Sequence, residues 1–266
     1  MLTIFTSLLL TSGMATAWAI PINDEQQQNN KDVMSILPDL YKCERERYAV
    51  QDCLPSSMLS IKSYLADGIQ DLNVVPFEPF YVHELPLNFA HTRIRRMTFF
   101  NMTIYGLTDY KINNVVTNDE VSTITFEAYF LRLSTHSCYD IDYLQHDQYL
   151  TINGDRMNMH FSDVTATICI KGVFYNNTNG KEMFRVSKVL VKFSVKNAEF
   201  YAYPPNPNDV KTVNSMNDYM NNNSKEMAKD ARLEINTIVA AIIEETANNI
   251  YTKFPIETLM PDYRPI

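Results

Sequence analysis

The side chains that could perform catalysis or hold a metal ion are few and scattered in this chain. None of its histidines has the HExxH, HxH or other spacing that metal ligands adopt, and no Gly-x-Ser-x-Gly motif of a serine hydrolase is present. The acidic pairs Glu244-Glu245 and Asp140/Asp142 are more typical of a solvated surface than of acid–base catalysis. The sequence therefore predicts no enzyme, no metal site and no cofactor. The five histidines are His83, His91, His136, His146 and His160.

The N-terminal residues predict export from the cell. An apolar run over residues 2–10 precedes small residues at Ala17 and Ala19, which is the pattern of a signal peptide over residues 1–19. The polar residues 20–34 predict a flexible leader, and residues 35–266 predict a single domain. No later run approaches the ~18 apolar residues that indicate a membrane span. We therefore expect a secreted, extracellular protein without stable membrane insertion.

Four cysteines in an oxidising compartment predict two disulfides, for which three pairings exist. Cys43 and Cys53 lie ten residues apart and flank a charged loop, so we pair them with each other. Cys138 and Cys169 then pair by elimination. Because each thiol has a partner in this scheme, the sequence offers no cysteine nucleophile.

The predicted surface is acidic and glycosylated. The formal net charge is −8 and no basic patch is present, which argues against binding to nucleic acid or to an anionic membrane. Three Asn-x-Ser/Thr sequons predict glycosylation in a secreted protein. They begin at Asn101, Asn176 and Asn222.

One long helix must position many of the apolar side chains. From Met227 to Phe254, apolar residues recur at steps of three or four, which predicts an amphipathic helix about 40 Å long. The polar residues between them, including Asn236 and Asn248, are expected to form a solvated face. A stripe of this length cannot stay exposed, so another element must cover it.

The covering element is predicted to be a sheet. Apolar and polar residues alternate over residues 96–110, 121–133, 164–175 and 185–197, with turn-forming clusters between them, one of which is 153–155. No helical pattern separates these strands, so the sheet should be antiparallel. A shorter helix is predicted after Cys53, with Asp52 as its cap and Gly68 at its end. The predicted class is α+β, with the sheet wrapped around one long C-terminal helix.

Three segments carry more information than a strand or helix pattern, and they read GIQDLNVVPFEPFYV over residues 68–82, NMTIYGLT over 101–108 and IYTKFPIETLMP over 250–261. They resemble segments of the insect haemolymph juvenile-hormone-binding proteins and their takeout relatives. Cys43 and Cys53 also lie where that family has its N-terminal cysteine pair. The resemblance extends from about Ser35 to Asp262, and it depends on the order and spacing of the segments together with the signal peptide.

The resemblance implies a strongly curved antiparallel sheet that wraps the long C-terminal helix and encloses an apolar tunnel. Members of the family are extracellular carriers of juvenile hormone or other lipophilic ligands and have no catalytic activity. We therefore expect a carrier of a small isoprenoid or fatty-acyl ligand in haemolymph or another extracellular fluid. The predicted ligand-binding residues are Phe100, Met102, Ile104, Ile124, Phe126, Phe130, Ile168, Ile170, Val191, Phe193, Ile238 and Ile242. A tyrosine hydroxyl such as that of Tyr129 or Tyr139 could orient the ligand, although either residue is more often a strand tyrosine with a solvated tip.

This chain departs from the family pattern in one strand. Residues 154–164 lack the proline and the later glycines that the family often has there, and the Cys138/Cys169 pair does not match the spacing of the hormone carriers. An alternative function therefore stays open, in which the same fold with a collapsed tunnel is a secreted signalling or interaction protein that binds an extracellular protein partner. An internal cavity above ~300 Å³ would favour the carrier over this alternative.

Overall fold

The computed structural model describes residues 41–90 and 92–261. The predicted signal peptide over residues 1–19, the predicted leader over residues 20–34 and His91 lie outside these ranges. Within them, the chain forms one six-stranded antiparallel sheet and five α-helices.

The sheet is built mainly from three long strands. Its order is β1-β2-β4-β5-β6, and β3 pairs with the first half of β4, beside β2. Because each strand twists and these strands are long, the sheet curls into a half-barrel, which confirms the predicted α+β class. The strands are β1 Phe80–Asn88, β2 Ile94–Tyr105, β3 Tyr110–Thr117, β4 Thr123–Gln145, β5 Gln148–Asn176 and β6 Glu182–Ala202.

The helices lie before and after the strands in the chain. They are α1 Arg47–Asp67, α2 Val210–Asn222, α3 Ser224–Asp230, α4 Arg232–Tyr251 and α5 Ile256–Leu259. Helix α1 begins before the predicted position because the carboxylate of Glu46, not of Asp52, accepts a hydrogen bond from a first-turn amide, that of Ala49, at 2.8 Å. It ends as predicted at Gly68, because the φ of 78° at this residue is incompatible with a right-handed α-helix.

The predicted long helix is present as α3 and α4, with a local tightening between them. Ala231 separates the two helices, and its ψ of −11° is closer to a 3₁₀ turn than to an α-helix. The backbone hydrogen bonds from Ala231 to Met227 and from Ile235 to Ala231 nevertheless continue across the junction. The prediction of helix from Met227 onward is therefore correct in position, but a single unbroken helix to Phe254 is wrong.

The predicted turn at residues 153–155 is part of strand β5. Gly154 lies there opposite Tyr139, and a Cβ at this position would approach the tyrosine ring to 2.3 Å. The turn between β4 and β5 instead contains His146 and Asp147, both with positive φ, as a two-residue hairpin turn of type I′ requires.

At one position along the three long strands, the alternation of inward-facing and outward-facing side chains shifts by one residue. We call this position the bend. The β4–β5 ladder pairs Phe130 with Val164 and Arg132 with Ser162, but it skips the pair between them, where Asp163 has a φ of 51°. Inward-facing residues have even numbers before the bend on β4 and odd numbers after it. Asp163 therefore supplies a local bend within residues 154–164, the stretch that lacks the proline and later glycines of the family.

Two groups of apolar side chains fill the inner face, one on each side of the bend. Cluster one lies on the side of the β4–β5 turn, and cluster two lies on the other side. The buried members of cluster one are Phe80, Val82, Leu85, Leu87, Phe89, Ile94, Met97, Phe99, Met102, Tyr139, Ile141, Tyr143, Ile152, Met157, Met159, Phe200, Ala202, Val213, Met216, Met220, Met227 and Ala231. The buried members of cluster two are Phe126, Ala128, Ala166, Ile168, Phe184, Val186, Val189 and Ile256.

Candidate functional site

The candidate site is the inner face of the sheet together with the helix α4 that covers it. Eleven of the twelve predicted ligand-binding residues belong to the two clusters or pack against them. In or against cluster one lie Met102, Ile104, Ile238 and Ile242. In or against cluster two lie Ile124, Phe126, Phe130, Ile168, Ile170, Val191 and Phe193.

The twelfth predicted residue, Phe100, lies on the outer face of the sheet. Its register partners are the exposed Glu84 on β1 and Cys138 on β4, which lies between inward-facing neighbours. The cause is a β-bulge next to Asn101, whose φ is 49°, because one extra residue moves the following side chains to the other face. Phe99, which is buried in cluster one, takes the place predicted for Phe100.

The two clusters differ in how completely they are buried. Cluster one contains side chains with no accessible surface, including Tyr139, Ile141 and Met157. Around cluster two, many apolar side chains face inward and yet remain half-buried. On the strands these are Ile124, Phe130, Ile170, Val191 and Phe193.

Helix α4 spans both clusters, and none of its residues is fully buried. Ile238 and Ile242 pack against cluster one. Ala240, Ile243 and Ala247 pack against cluster two, although the predicted site did not include them. The sequence does contain a signal for this second apolar face. Ile242 and Ile243 are adjacent and both apolar, and adjacent residues of a helix point in different directions. The helix therefore presents two apolar stripes to the interior rather than one.

Side-chain amides attach the helices to the free edge of β6. Asn248 accepts a hydrogen bond from the Val186 amide at 2.9 Å and donates one to the Val186 carbonyl at 3.0 Å. Asn236 accepts from the Phe193 amide at 3.1 Å. These asparagines replace the missing neighbour strand, since they satisfy edge groups that would otherwise be unpaired. The predicted solvated role of Asn236 and Asn248 is therefore wrong.

Helix α2 repeats this arrangement at the other end of β6. Asn221 accepts from the Phe200 amide and donates to the Phe200 carbonyl, both at 2.9 Å. Asn217 makes the same pair of bonds with Ala202, again at 2.9 Å. We call Asn217, Asn221, Asn236 and Asn248 the amide clips. They fix how far the helices stand from the sheet.

The two predicted tyrosine hydroxyls are already hydrogen bonded within the protein. Tyr129 donates to the Asp163 carboxylate at 2.6 Å, and this bond raises the pKa of Tyr129 while it lowers the pKa of Asp163. Tyr139 donates to the Tyr203 carbonyl at 2.8 Å, and burial raises the pKa of Tyr139 to about 12. Neither hydroxyl therefore has its proton free for a ligand.

The disulfide predictions have opposite outcomes. Cys43 and Cys53 form the predicted bond. Cys138 and Cys169 are free thiols, which corrects the second predicted pair. Cys169 lies opposite Thr125 on β4, and Cys138 is thirteen residues (138 minus 125) further along that strand. At ~3.3 Å per residue this separation is roughly 43 Å along the strand, whereas a disulfide needs Cα atoms within ~7 Å.

The remaining predictions concern metals and sugars. No group of three or more His, Cys, Asp or Glu side chains in residues 41–90 and 92–261 is arranged to hold a metal ion. The three sequon asparagines, Asn101, Asn176 and Asn222, are exposed. Glycosylation at these positions stays a prediction.

Comparison with known proteins places the chain in a family. The sequence profile of the haemolymph juvenile hormone binding protein (JHBP) family matches residues 26–261. The chain belongs to this family. The resemblance inferred from residues 68–82, 101–108 and 250–261 is thereby confirmed.

Solved structures agree with JHBP membership at the level of the fold. Takeout 1 of Epiphyas postvittana has a TM-score of 0.71 to this chain and 17% sequence identity, over 83% of this chain and 99% of its own. At that identity the likeness shows the fold alone. A lipopolysaccharide binding protein gives a TM-score of 0.33 at 8% identity, over 77% of this chain and 40% of its own, and carries no argument. No curated protein matches the sequence significantly.

Among the helices of residues 41–90 and 92–261, none is both long and apolar enough to cross a bilayer.

Proposed function

We propose that this protein is a secreted carrier that holds a small lipophilic ligand between the inner face of its sheet and helix α4. Membership of the JHBP family supports binding of this chemical class. The observation that carries the proposal is that inward-facing apolar side chains around cluster two, such as Ile170 and Phe193, are only half-buried. A solid core would bury such side chains, because protein interiors are close-packed.

The proposed lining consists of the predicted residues other than Phe100, with Ala240, Ile243 and Ala247 of α4 added. These side chains offer apolar surface and very few polar groups. They suit an isoprenoid, such as a juvenile-hormone-like compound, or a fatty-acyl compound. The ligand would be enclosed and shielded from water, and no bond in it would be made or broken.

Apolar burial can supply the affinity that a carrier needs. About fifteen buried carbons contribute on the order of 10 kcal/mol at ~0.8 kcal/mol per methylene. Association costs at least ~4 kcal/mol, so at most about 6–8 kcal/mol remains, which corresponds to an affinity between roughly one and some tens of micromolar. Hydrogen bonds at about 1 kcal/mol each would select among ligands rather than hold them.

Three features support secretion. They are the signal-peptide pattern of residues 1–19, the Cys43–Cys53 disulfide and the exposed sequon asparagines. A disulfide persists in an oxidising compartment, which is where such carriers work.

The test is native mass spectrometry of the secreted protein after mild extraction, followed by displacement of a fluorescent fatty acid by juvenile hormone and by a plain fatty acid. We expect a co-purified lipophile, or saturable uptake of one molecule per chain. Ala240→Phe should reduce uptake several-fold, because the ring would fill space beside cluster two. Ala241→Phe is the matched control, since Ala241 is the next residue on α4 and is exposed.

A wild-type protein that retains and takes up no lipophile would contradict the carrier. Capture of a specific extracellular protein by that same lipid-free protein would establish the alternative of a secreted interaction protein. Equal effects of the Ala240 and Ala241 substitutions would show that the ligand lies elsewhere.

A further inference from the structure

Two buried hydroxyl groups interrupt the apolar inner face of β4. Thr135 is 5% exposed and Ser137 is 6% exposed, and both lie on the cluster one side of the bend. The inward-facing neighbours Leu133 and Tyr139 continue the same alternation. Thr135 Oγ1 and Ser137 Oγ are fully buried, and neither has a hydrogen-bond partner within the part of the chain that the structure describes.

Such groups call for an explanation, because most buried polar atoms in folded proteins are hydrogen bonded. Two other buried threonines, Thr117 and Thr98, have hydrogen-bonded hydroxyls, as is usual. Thr117 donates to the Thr123 carbonyl at 2.7 Å, and Thr98 accepts from the Arg96 guanidinium at 3.2 Å. The unpaired state of Thr135 and Ser137 therefore costs free energy that apolar residues at these positions would not cost.

The strand register places both hydroxyls at the inner end of the proposed site. Thr135 lies between Ile104 on β2 and Met159 on β5, and Ser137 lies opposite Met157. Ile104 is one of the half-buried residues that pack against cluster one, whereas Met157 and Met159 are fully buried. On the inner face of β4, every residue from Leu133 to Tyr143 is buried, so the half-buried stretch of this strand ends before Thr135.

The side chains beside the two hydroxyls on β5 are methionines, which can move aside to make the hydroxyls accessible. The flexible thioether of methionine adapts to new neighbours at low cost. Met157 and Met159 flank Ser137 and Thr135 directly in the register, so rotation of these side chains would uncover the oxygens. Because alternate residues of a strand are ~6.6 Å apart on the same face, both hydroxyls can reach one ester or ketone group.

The charges around cluster one favour a neutral ligand group. No fully buried Lys, Arg or His side chain is present among residues 41–90 and 92–261. On helices α3 and α4, the buried side-chain oxygens without a hydrogen-bond partner belong to acids, namely Oδ2 of Asp230 and Oε2 of Glu234. An ionised carboxylate would lose its hydration without gaining a counter-charge, which is costly.

We propose that Thr135 and Ser137 form the polar anchor of the site and donate hydrogen bonds to a neutral carbonyl oxygen, of an ester or a ketone, at one end of a long apolar ligand. This inference rests on the proposed carrier function. It predicts a ligand that lies along the inner face, with its tail at cluster two and its carbonyl end at cluster one.

The test compares the methyl ester of a long-chain fatty acid with the alkane of equal length. Wild-type protein should bind the ester more tightly than the alkane, and the free acid more weakly than the ester at pH 8. In the double variant Thr135→Val/Ser137→Ala, ester affinity should fall about fivefold for each lost hydrogen bond. Alkane affinity should not change.

A stability measurement on the ligand-free protein separates an anchor from a structural hydroxyl. Thr135→Val should leave the thermal midpoint unchanged or raise it, because the valine removes an unpaired buried group. Thr117→Val is the matched control and should lower the midpoint, because its hydroxyl is hydrogen bonded. Thr117→Val should keep the wild-type ratio of ester to alkane affinity.

Two results would overturn the anchor while the carrier function stands. One is an unchanged ratio of ester to alkane affinity in the double variant. The other is a loss of stability in Thr135→Val equal to that in Thr117→Val, which would show that the hydroxyl is paired within the protein. If wild-type protein binds neither the ester nor the alkane, the carrier function itself fails, and the anchor with it.

Discussion

Clusters one and two lie on the same three strands and under the same helix, yet they are packed differently. Cluster one is closed, with side chains such as Ile141 and Met157 at zero exposure. Around cluster two, residues of the same chemical type face inward but stay half-buried. The difference shows that apolar alternation alone does not determine whether an inner face becomes a core or the wall of a binding site.

The largest effect is expected from removing one isoleucine on each side of the bend. Ile141→Ala should destabilise the protein by about 2–5 kcal/mol, because Ile141 is fully buried and the cavity cannot collapse. Ile170→Ala should cost roughly half as much or less, since Ile170 is half-buried beside cluster two. Urea unfolding of the ligand-free variants measures both values. Equal losses would show that cluster two is packed as tightly as cluster one.

A second comparison concerns the amide clips at the two ends of β6. Asn221→Ala and Asn248→Ala should each cost about 1–3 kcal/mol, because each leaves an amide and a carbonyl of the edge strand unpaired. Asn222→Ala in unglycosylated protein is the control, since Asn222 is exposed next to Asn221. Hydrogen exchange should then accelerate at the Phe200 amide in one variant and at the Val186 amide in the other. Unchanged exchange at those amides would show that the clips do not protect the strand edge.

The sequence predicted the elements better than it predicted their faces. Period-two alternation identified β6 and its inward residues Val191 and Phe193, because β6 keeps one phase from Val189 to Val195, before the bend. Phe100 was assigned to the wrong face because the bulge at Asn101 adds one residue, and nothing in the alternation marks it.

Contacts between elements that are far apart in the chain could not be predicted from the sequence either. The Cys138–Cys169 pair is plausible from the sequence, but the register places the two thiols on opposite sides of the bend, too far apart to bond. The amide clips look like solvated helix residues, because an asparagine that pairs with a strand edge has the same spacing as one that faces water. Both errors need the relative position of elements, which no local pattern contains.

A smaller effect is expected at the bend that separates the two clusters. The hydrogen bond from Tyr129, and then the one from Lys196, hold the pKa of Asp163 below its usual range. A lowered folded-state pKa stabilises the protein above the unfolded pKa of ~3.9, and this stabilisation is lost as pH falls through the folded value. Asp163→Asn keeps a residue that tolerates positive φ but removes the charge.

The measurement is the urea midpoint of wild type and Asp163→Asn between pH 2 and pH 7. The variant should be slightly less stable at neutral pH, and the difference should shrink as the wild-type carboxylate is protonated in acid. A difference that stays constant across this range would show that the charge of Asp163, which pairs with Lys196 at 3.3 Å, does not stabilise the bend.

In the proposed carrier, the half-buried side chains around cluster two contact a lipophilic ligand. The single tryptophan of the chain, Trp18, lies within the predicted signal peptide, so protein that starts at residue 20 contains none. A reporter tryptophan can therefore be placed on either face of β6, by Phe193→Trp on the inner face or by Leu190→Trp on the outer face, where Leu190 is 47% exposed. The measurement is quenching of each reporter by the methyl ester of a brominated fatty acid. We expect saturable quenching of the Phe193→Trp protein at one molecule per chain and none of the Leu190→Trp protein. No quenching of either reporter, or equal quenching of both, would contradict the proposed carrier.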